Sequence, residues 1–240
     1  MKTLAVIPAR YASTRLPGKP LIPVGGIPLV IRVLDNVRKC RKVDRVIVAA
    51  DDERIAEVVL REGGEVMMTP AELPSGGDRV AWAAERIPSE YVINVQVDDP
   101  LVGSDMIDPL VEALDSDNDV SLALLAKKIE RREEIDSPDI VKMVFDTKGR
   151  ALYFSRSPIT YPRTRQGIWY KHIGPYAWRR SFLLDFSKWE QTPLEKRESL
   201  EMLRVLERGH SIRCIMTERD TIEIDTPNDL TRIGKYLSEP

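Results

Sequence analysis

A basic loop directly follows the first apolar run of the chain. The apolar run Thr3–Pro8 has the composition of a buried strand, and the cations of the loop behind it are Arg10, Arg15 and Lys19. Guanidinium groups make planar two-point contacts with phosphate oxygens, an ammonium group acts as a point charge, and backbone N–H groups near Gly18 add donors. The loop therefore suits a triphosphate, although a solvated basic loop explains its composition equally well.

Two aspartates stand at the ends of predicted strands. Asp98 follows the strand-like run Val92–Val97, and Asp225 precedes a predicted helix. Carboxylates beside a triphosphate are candidate ligands of Mg²⁺, which commonly takes one or two of them and keeps several waters. The residues alone also allow Asp225 to be a helix cap and Asp99 to be part of a turn.

Short apolar runs alternate with segments of helical period, which predicts an α/β fold: a mostly parallel twisted sheet with helices on both faces. The strands predicted in the first half are Thr3–Pro8, Arg45–Ala50, Glu65–Met68 and Tyr91–Val95. Since a parallel sheet opens into a crevice at the carboxyl ends of its strands, the basic loop is expected to lie at such a crevice.

The pattern changes after about residue 118, where more strands and a hairpin turn at Thr147–Gly149 indicate a smaller mixed β insertion. The strands predicted there are Val120–Lys127, Val141–Asp146, Ala151–Ser155, Lys171–Trp178 and Ile212–Thr217. The helices predicted there are Arg180–Trp189, Leu194–Arg208 and one from Thr226. We interpret residues 1–240 as a single domain. Its half of about 1–118 binds the nucleotide, and its half of about 119–240 binds the second substrate.

The composition is that of a soluble globular protein, with 42% hydrophobic and 31% charged residues. The net charge of −2, from 36 basic and 38 acidic side chains, predicts no binding to nucleic acid. No segment resembles a signal peptide or a membrane span, so we predict a cytoplasmic protein without membrane contact. Cys40 and Cys214 lack metal-ligand spacing and are expected to be core residues.

The basic loop resembles a known family. The run from Ile7 to Leu21, IPARYASTRLPGKPL, is similar to the opening signature of the CMP-Kdo synthetases, the 3-deoxy-manno-octulosonate cytidylyltransferases. Further motifs follow in the family's order as far as Leu230. The resemblance implies a nucleotide-diphospho-sugar transferase-like fold. It also implies catalytic roles for Arg10, Arg15, Lys19 and Asp98.

Both aspartate segments are similar to metal motifs of this family. The first family motif reads Asn-Val-Gln-Gly-Asp-Glu-Pro, and this chain keeps Asp98 but has Val97 for Gly and Asp99 for Glu. The second motif matches at Asp225, with Asn228 where Glu is usual. The resemblance thus implies that Asp98 and Asp225 bind Mg²⁺ as the cofactor.

The segment Ser75–Arg79 resembles the part of the family that faces the cytosine and ribose. Its small residues would let backbone groups meet the edge of a pyrimidine, although a glycine-rich helix start is locally an equal interpretation. The nucleotide-binding residues implied by the resemblance are Ala9, Ser13, Ser75, Gly76, Arg79 and Gln96.

Three later segments resemble the sugar-binding part of the family: Tyr153–Arg156, Lys171–Tyr176 and the stretch from Pro193 to Arg204. Pro175 and Met202 depart from the family's usual aliphatic residue and Gln. The sugar-binding residues implied are Arg156, His172, Tyr176, and Glu195 or Glu198.

The implied enzyme is a nucleotidyltransferase. It transfers CMP from CTP to 3-deoxy-D-manno-octulosonate (Kdo), releases pyrophosphate and supplies CMP-Kdo for lipopolysaccharide synthesis. The resemblance also implies a homodimer formed largely through the second half. Two alternatives stay open because of the departures at Val97 and Met202. One is a cytidylyltransferase for an amino or sialic-type acid sugar, and the other is a non-catalytic CTP-binding regulator.

Overall fold

A nine-stranded mixed sheet forms the centre of the molecule in a computed structural model that describes residues 1–12, 16–163 and 167–238. The strands are β1 (Thr3–Ala9), β2 (Pro23–Val24), β3 (Ile27–Pro28), β4 (Arg45–Ala50), β5 (Val66–Met68), β6 (Tyr91–Asn94), β7 (Leu122–Lys128), β8 (Lys142–Phe145), β9 (Ala151–Ser155), β10 (Tyr170–Arg179) and β11 (Arg213–Met216). The helices are α1 (Leu29–Arg38), α2 (Glu53–Arg61), α3 (Gly76–Arg86), α4 (Ser104–Ser116), α5 (Arg132–Asp136), α6 (Arg180–Phe186), α7 (Pro193–Glu198), α8 (Glu201–Glu207) and α9 (Pro227–Ser238).

The strand order is β11-β7-β10-β6-β1-β4-β5, with β8 and β9 attached beside β10 and β2–β3 forming a separate pair. β1 runs parallel to β4 and β6, and β4 runs parallel to β5. In the second half β10 is antiparallel to both β6 and β7, and β8 and β9 form an antiparallel hairpin. The predicted mostly parallel sheet with a mixed second half is therefore confirmed.

Hydrophobic clusters cover both faces of the sheet, as the strand β1 demonstrates. Ala5, Ile7 and Ala9 belong to a cluster that includes residues of α1 and α4. Leu4 and Val6 point to the other face, into a cluster with α3, α6 and α8. All these β1 side chains are fully buried, and each large one contributes about 1.5–3 kcal/mol to stability. A strand buried on both faces explains the continuous apolar run in the sequence.

Two features differ from the predicted helices. The helix predicted over 194–208 is divided into α7 and α8, because Ser199 adopts a left-handed conformation with φ of 55°. The helix α4, which follows the acidic segment directly, and the short helix α5 were not predicted. Within the described ranges, none of the helices is long and apolar enough to cross a membrane.

The carboxyl ends of β1, β4 and β6 lie side by side at one edge of the sheet. The antiparallel strand β10 joins this edge, since Tyr176 pairs with Asn94 at the end of β6. The ladder between β10 and β7 shifts register between Ile173 and Tyr176, where Pro175 interrupts the pairing. The edge thus brings together segments from both halves of the chain.

Candidate active site

Lys19 lies between the carboxylates of Asp98 and Asp225 at this edge. Its Nζ atom is 2.7 Å from Asp98 Oδ2 and 3.0 Å from Asp225 Oδ1. Burial lowers the pKa of Lys19, but the charges and hydrogen bonds of the two carboxylates outweigh burial and raise the pKa above its usual value. Two aspartates distant in sequence therefore meet at one cationic group, beside the basic loop.

Backbone contacts hold these three residues together. Asp98 follows the end of β6, and its carbonyl oxygen accepts the N–H of Ile224 at 2.9 Å, which fixes the segment that carries Asp225. Lys19 begins a short 3₁₀ helix after Gly18, whose φ of 69° is the left-handed conformation that glycine adopts without strain. The cluster is therefore built by three separate segments that meet at the same edge.

The paired aspartates fit a divalent cation. Both carboxylates contact the same nitrogen atom, so both can reach one cation at this position, and hard oxygen ligands are what Mg²⁺ prefers. Within 1–12, 16–163 and 167–238, no group of three or more His, Cys, Asp or Glu side chains could hold a metal ion. A cation held by Asp98 and Asp225 would therefore need phosphate oxygens or water as its other ligands.

Two further acidic side chains lie near this pair. Asp99 is buried and accepts the N–H of Leu101 at 3.1 Å, so its interpretation as a turn residue is confirmed. Burial raises the pKa of Asp99 to about 8. Part of the surface of Glu223 is exposed, although many protein atoms surround its carboxyl group. This burial and the charges of Asp98 and Asp225 raise its pKa to about 7. Neighbouring carboxylates also raise both pKa values, and a bound cation would relieve this repulsion.

The described part of the basic loop leaves one cation at the surface. The Arg10 side chain is 54% exposed, and its Nε atom lies 4.0 Å from Asp51 Oδ2. Ala9 ends β1 and is buried. Ser13 and Arg15 lie outside the described residues. The triphosphate role of this loop stays a prediction.

The N-terminus of α3 borders the same edge. Ser75 caps the helix by accepting the N–H of Asp78 at 3.0 Å, so the interpretation as a helix start is confirmed. A Cβ atom at Gly76 would lie 3.4 Å from Pro8 Cγ and 3.5 Å from Gln96 Oε1. Ser75, Gly76 and Gln96 are thus brought together next to the ends of β1 and β6.

Arg79 occupies a buried position in α3 rather than an open one. Its guanidinium group donates to Thr69 Oγ1, to the Pro70 carbonyl at 3.1 Å and to Asp51 Oδ2 at 3.4 Å. Burial lowers the pKa of Arg79, while Asp51 acts in the opposite direction. Direct contact with a base would require the guanidinium group to leave these buried partners. The predicted contribution of Arg79 to nucleotide binding would therefore be to hold the segments of Asp51 and Thr69–Pro70 in place.

His172 and Tyr176 stack on each other along β10, with ring centroids 5.1 Å apart. Burial lowers the pKa of His172 to about 4, so the ring is neutral near pH 7. Its Nε2 atom is buried and lacks a hydrogen-bond partner within the part of the chain that is described. Burial raises the pKa of Tyr176, and so do the charges of Glu201 and Glu223. Both rings are therefore uncharged groups for hydrogen bonding.

Arg156 and Glu198 join the hairpin to α7. The Arg156 side chain donates to the carbonyl oxygens of Glu198 and Pro138, both at 2.8 Å. The Glu198 carboxylate accepts the Ser155 hydroxyl at 2.8 Å and the Arg156 N–H at 2.9 Å. These contacts position β9 against α7, and the predicted sugar contacts of the two residues stay predictions.

Glu195 forms a buried ion pair with Arg204. Its two carboxylate oxygens accept from Arg204 Nε at 2.8 Å and from NH2 at 2.5 Å, and the side chains are 3% and 9% exposed. Glu195 also completes a capping box with Thr192 at the start of α7. All of these contacts stabilise the α7–α8 pair, so a sugar contact would compete with them.

Glu201 is the residue of this stretch that faces the crevice, and sequence reasoning gave it no role. Its carboxylate lies 3.4 Å from Ser75 Oγ and would be 3.0 Å from a Cβ at Gly77. Burial raises its pKa, and its charge in turn raises the pKa of Tyr176. Glu201 therefore lies between the start of α3 and the aromatic pair of β10. The break at Ser199 between α7 and α8 orients Glu201 toward the crevice. This break has no sequence signature.

The departures at Val97 and Met202 direct their side chains into the core. Val97 is 7% exposed and Met202 is 4% exposed, and they belong to the hydrophobic clusters on opposite faces of the sheet. The side chains of Val97 and Met202 therefore do not crowd the crevice. Neither departure favours an altered substrate on steric grounds.

The fold is that of nucleotidyltransferase-like α/β proteins. HddC from Yersinia pseudotuberculosis, solved with GMP-PN, shares the fold at 17% identity with a TM-score of 0.71 over 99% of this chain and 100% of that one. The chain belongs to the cytidylyltransferase family, whose sequence model matches residues 4–212.

Relatives within this family are similar over their whole length. The 3-deoxy-manno-octulosonate cytidylyltransferase of Geobacter metallireducens is 44% identical, covering 99% of this chain and 98% of the relative. That of Desulfosudis oleivorans is 45% identical with the same coverage. A CMP:2-keto-3-deoxy-manno-octonic acid synthetase solved in complex with CTP is 36% identical, with a TM-score of 0.95 over 99% of both chains.

Proposed function

We propose that this protein transfers CMP from CTP to Kdo, giving CMP-Kdo and pyrophosphate for lipopolysaccharide synthesis. The anomeric hydroxyl oxygen of the sugar attacks the α-phosphorus, and the bond from this phosphorus to the leaving pyrophosphate breaks. The observation that carries the proposal is the meeting of Asp98 and Asp225 around Lys19 beside the basic loop. The full-length similarity to Kdo cytidylyltransferases supports the choice of sugar.

The cofactor in this proposal is Mg²⁺, held by Asp98 and Asp225. When bound, it neutralises the charge that develops on the α-phosphate and the leaving group. Lys19, which contacts both carboxylates in this structure, would turn to the triphosphate once they hold the cation, and Arg10 and Arg15 would bind phosphate oxygens as well. Positioning and charge neutralisation then lower the barrier without a covalent intermediate.

The two substrates occupy the two halves of the crevice. The half of about 1–118 binds the nucleotide, with Ala9, Ser13, Ser75, Gly76 and Gln96 near it and Arg79 supporting this part of the site. The half of about 119–240 binds the sugar. The sugar-binding side chains are Arg156, His172, Tyr176 and Glu201. The carboxylate of Glu201 accepts hydrogen bonds from hydroxyl groups of the sugar.

The protein is further proposed to be a cytoplasmic homodimer that associates through its second half. Large apolar side chains are exposed in this half, among them Leu152 at 60%, Tyr161 at 86% and Ile168 at 63%. A contiguous patch of such side chains would mark an association surface. Light scattering after gel filtration should give twice the monomer mass, and a monomer mass at assay concentration would contradict the dimer.

Pyrophosphate release measured with CTP, Mg²⁺ and a panel of acid sugars tests the function. We expect turnover with Kdo and lower kcat/KM with amino-Kdo and sialic-type acids. Preference for another acid sugar would replace Kdo in the proposal, and CTP binding without pyrophosphate release from any sugar would favour a regulator. Omission of Mg²⁺ should abolish turnover, and full activity in excess chelator would contradict the metal.

A further inference from the structure

Asp51 is a buried carboxylate that contacts the basic loop directly. It follows β4, and its side chain is only 6% exposed. Its Oδ1 atom accepts the N–H of Tyr11 at 2.9 Å, and its Oδ2 atom lies 4.0 Å from Arg10 Nε. A buried carboxylate needs hydrogen-bond donors and cations around it, and these contacts supply them. Asp51 thus fixes the backbone of the loop at Tyr11 and lies at ion-pair distance from the first cation of the loop.

Tyr11 carries this constraint to the far end of the loop. Its carbonyl oxygen accepts the N–H of Gly18 at 3.0 Å, and a Cβ at Gly18 would lie 3.3 Å from its ring. The guanidinium group of Arg54 stacks on the ring at 3.5 Å from the centroid. Since Gly18 directly precedes Lys19, the carboxylate of Asp51 supports both ends of the phosphate-binding turn.

The second oxygen of Asp51 connects the loop to α3. It accepts Arg79 NH2 at 3.4 Å, and the same guanidinium donates to the Pro70 carbonyl. Thr69, the other partner of Arg79, donates both its N–H and its hydroxyl to the Ala50 carbonyl, at 2.8 and 3.0 Å. Arg79 therefore balances the charge of Asp51 from the α3 side. Arg10 is not required as the counter-charge of Asp51 and can contact a bound anion.

We propose that Asp51 is a positioning residue for the triphosphate: it holds Tyr11 and Arg10, at the start of the basic loop, in place without touching the nucleotide. This inference rests on the proposed function, because it requires CTP to be the ligand of the loop. A preformed loop spends less binding free energy on ordering, so the loss of Asp51 should weaken triphosphate binding specifically. Binding of the base and ribose should be unaffected.

Isothermal titration of Asp51→Asn and Asp51→Ala with CTP and with CMP, both with Mg²⁺, tests the inference. Asn keeps an acceptor for the Tyr11 N–H but loses the charge, whereas Ala loses both. We expect the Kd for CTP to rise about tenfold in the Asn variant and further in the Ala variant, with the Kd for CMP changing less than about twofold.

Asp108→Asn is a matched control. Asp108 is 2% exposed and likewise accepts a guanidinium and a backbone N–H, from Arg41 at 3.0 Å and from Lys42 at 3.1 Å. It lies on α4 near the amino end of β4, away from the crevice. Both Asp51→Asn and Asp108→Asn should have a lower melting temperature than the unaltered protein. The Kd for CTP should be unchanged in Asp108→Asn.

Three results would overturn the role of Asp51. These are unchanged CTP affinity in both Asp51 variants, an equal loss of CTP and CMP affinity, or an equal loss of CTP affinity in the Asp108 variant. Failure of the unaltered protein to bind CTP would instead reject the proposed function, and the role of Asp51 with it.

Discussion

The two sides of the crevice use their charged residues differently. On the side that we propose to bind the nucleotide, Asp98 and Asp225 share Lys19 with side chains that are 24% and 30% exposed. On the side that we propose to bind the sugar, Glu195 and Arg204 form a pair that is buried and fully hydrogen bonded. The first cluster can exchange its partner for a ligand, whereas the second cannot do so without loss of packing. We therefore expect the first to govern activity and the second to govern stability.

The largest expected effect follows replacement of either crevice aspartate. Asp98→Asn and Asp225→Asn each remove a ligand charge worth several kcal/mol in the transition state, so kcat should fall about a thousandfold. Their free energies of unfolding should change by about 1 kcal/mol or less, because the carboxylates are partly exposed. Pyrophosphate release and urea denaturation measure the two quantities. A large loss of stability with activity retained would reverse the comparison.

Glu195→Gln should have the opposite effect. Removal of one charge leaves Arg204 buried without its partner, which costs about 3–5 kcal/mol of unfolding free energy. Activity per folded molecule should remain near that of the unaltered protein. Urea denaturation measures the free energy of unfolding, and pyrophosphate release corrected for the folded fraction measures the activity. If KM for the sugar rises while stability is retained, Glu195 binds the sugar, as its sequence resemblance implies.

Glu201→Gln should raise KM for the sugar by about tenfold to a hundredfold, since a buried acceptor of hydroxyl groups is weakened. Stability should rise or stay constant, because burial raises the pKa of this carboxyl in the folded state. Steady-state kinetics with each substrate varied in turn separate the two KM values. Equal KM values for the variant and the unaltered protein would exclude Glu201 from the sugar side.

The smallest effect concerns pH. The pKa of His172 is about 4 in the folded protein, below its value of about 6.5 when unfolded. The unfolded state therefore binds more protons in this window, and the stabilising contribution present above about pH 6.5 is lost as the pH falls toward 4. Between about pH 7.5 and 5, the unaltered protein should lose about 1–2 kcal/mol more than His172→Phe. Equal pH dependence in denaturation series would contradict a neutral, buried His172.

The position of Asp98 was predictable because it follows a strand. Asp225 was also predicted at a strand end, but the described chain has no strand between β11 and α9. Apolar runs fix the ends of β1 and β6, and a parallel sheet brings such ends to one edge, so Asp98 could be assigned to the crevice from its position alone. Asp51, at the end of β4, carries the same signal, but sequence reasoning gave it no role.

The sugar side was less predictable because helix geometry decides which glutamate faces the crevice. A continuous helix over 194–208 gives one set of faces, and the left-handed Ser199 gives another. Left-handed residues are usually glycine or asparagine, so serine there carries no sequence signal. The pairing of Glu195 with Arg204 depends on this break, and so does the exposure of Glu201 to the crevice.

A crystal structure with CTP and Mn²⁺, which replaces Mg²⁺ at oxygen ligands, tests the central claim most directly. The anomalous map should contain a peak bound by the carboxylates of both Asp98 and Asp225, with Lys19 turned to the triphosphate. A metal ion bound to the phosphates alone, with Lys19 still between the two aspartates, would contradict the account.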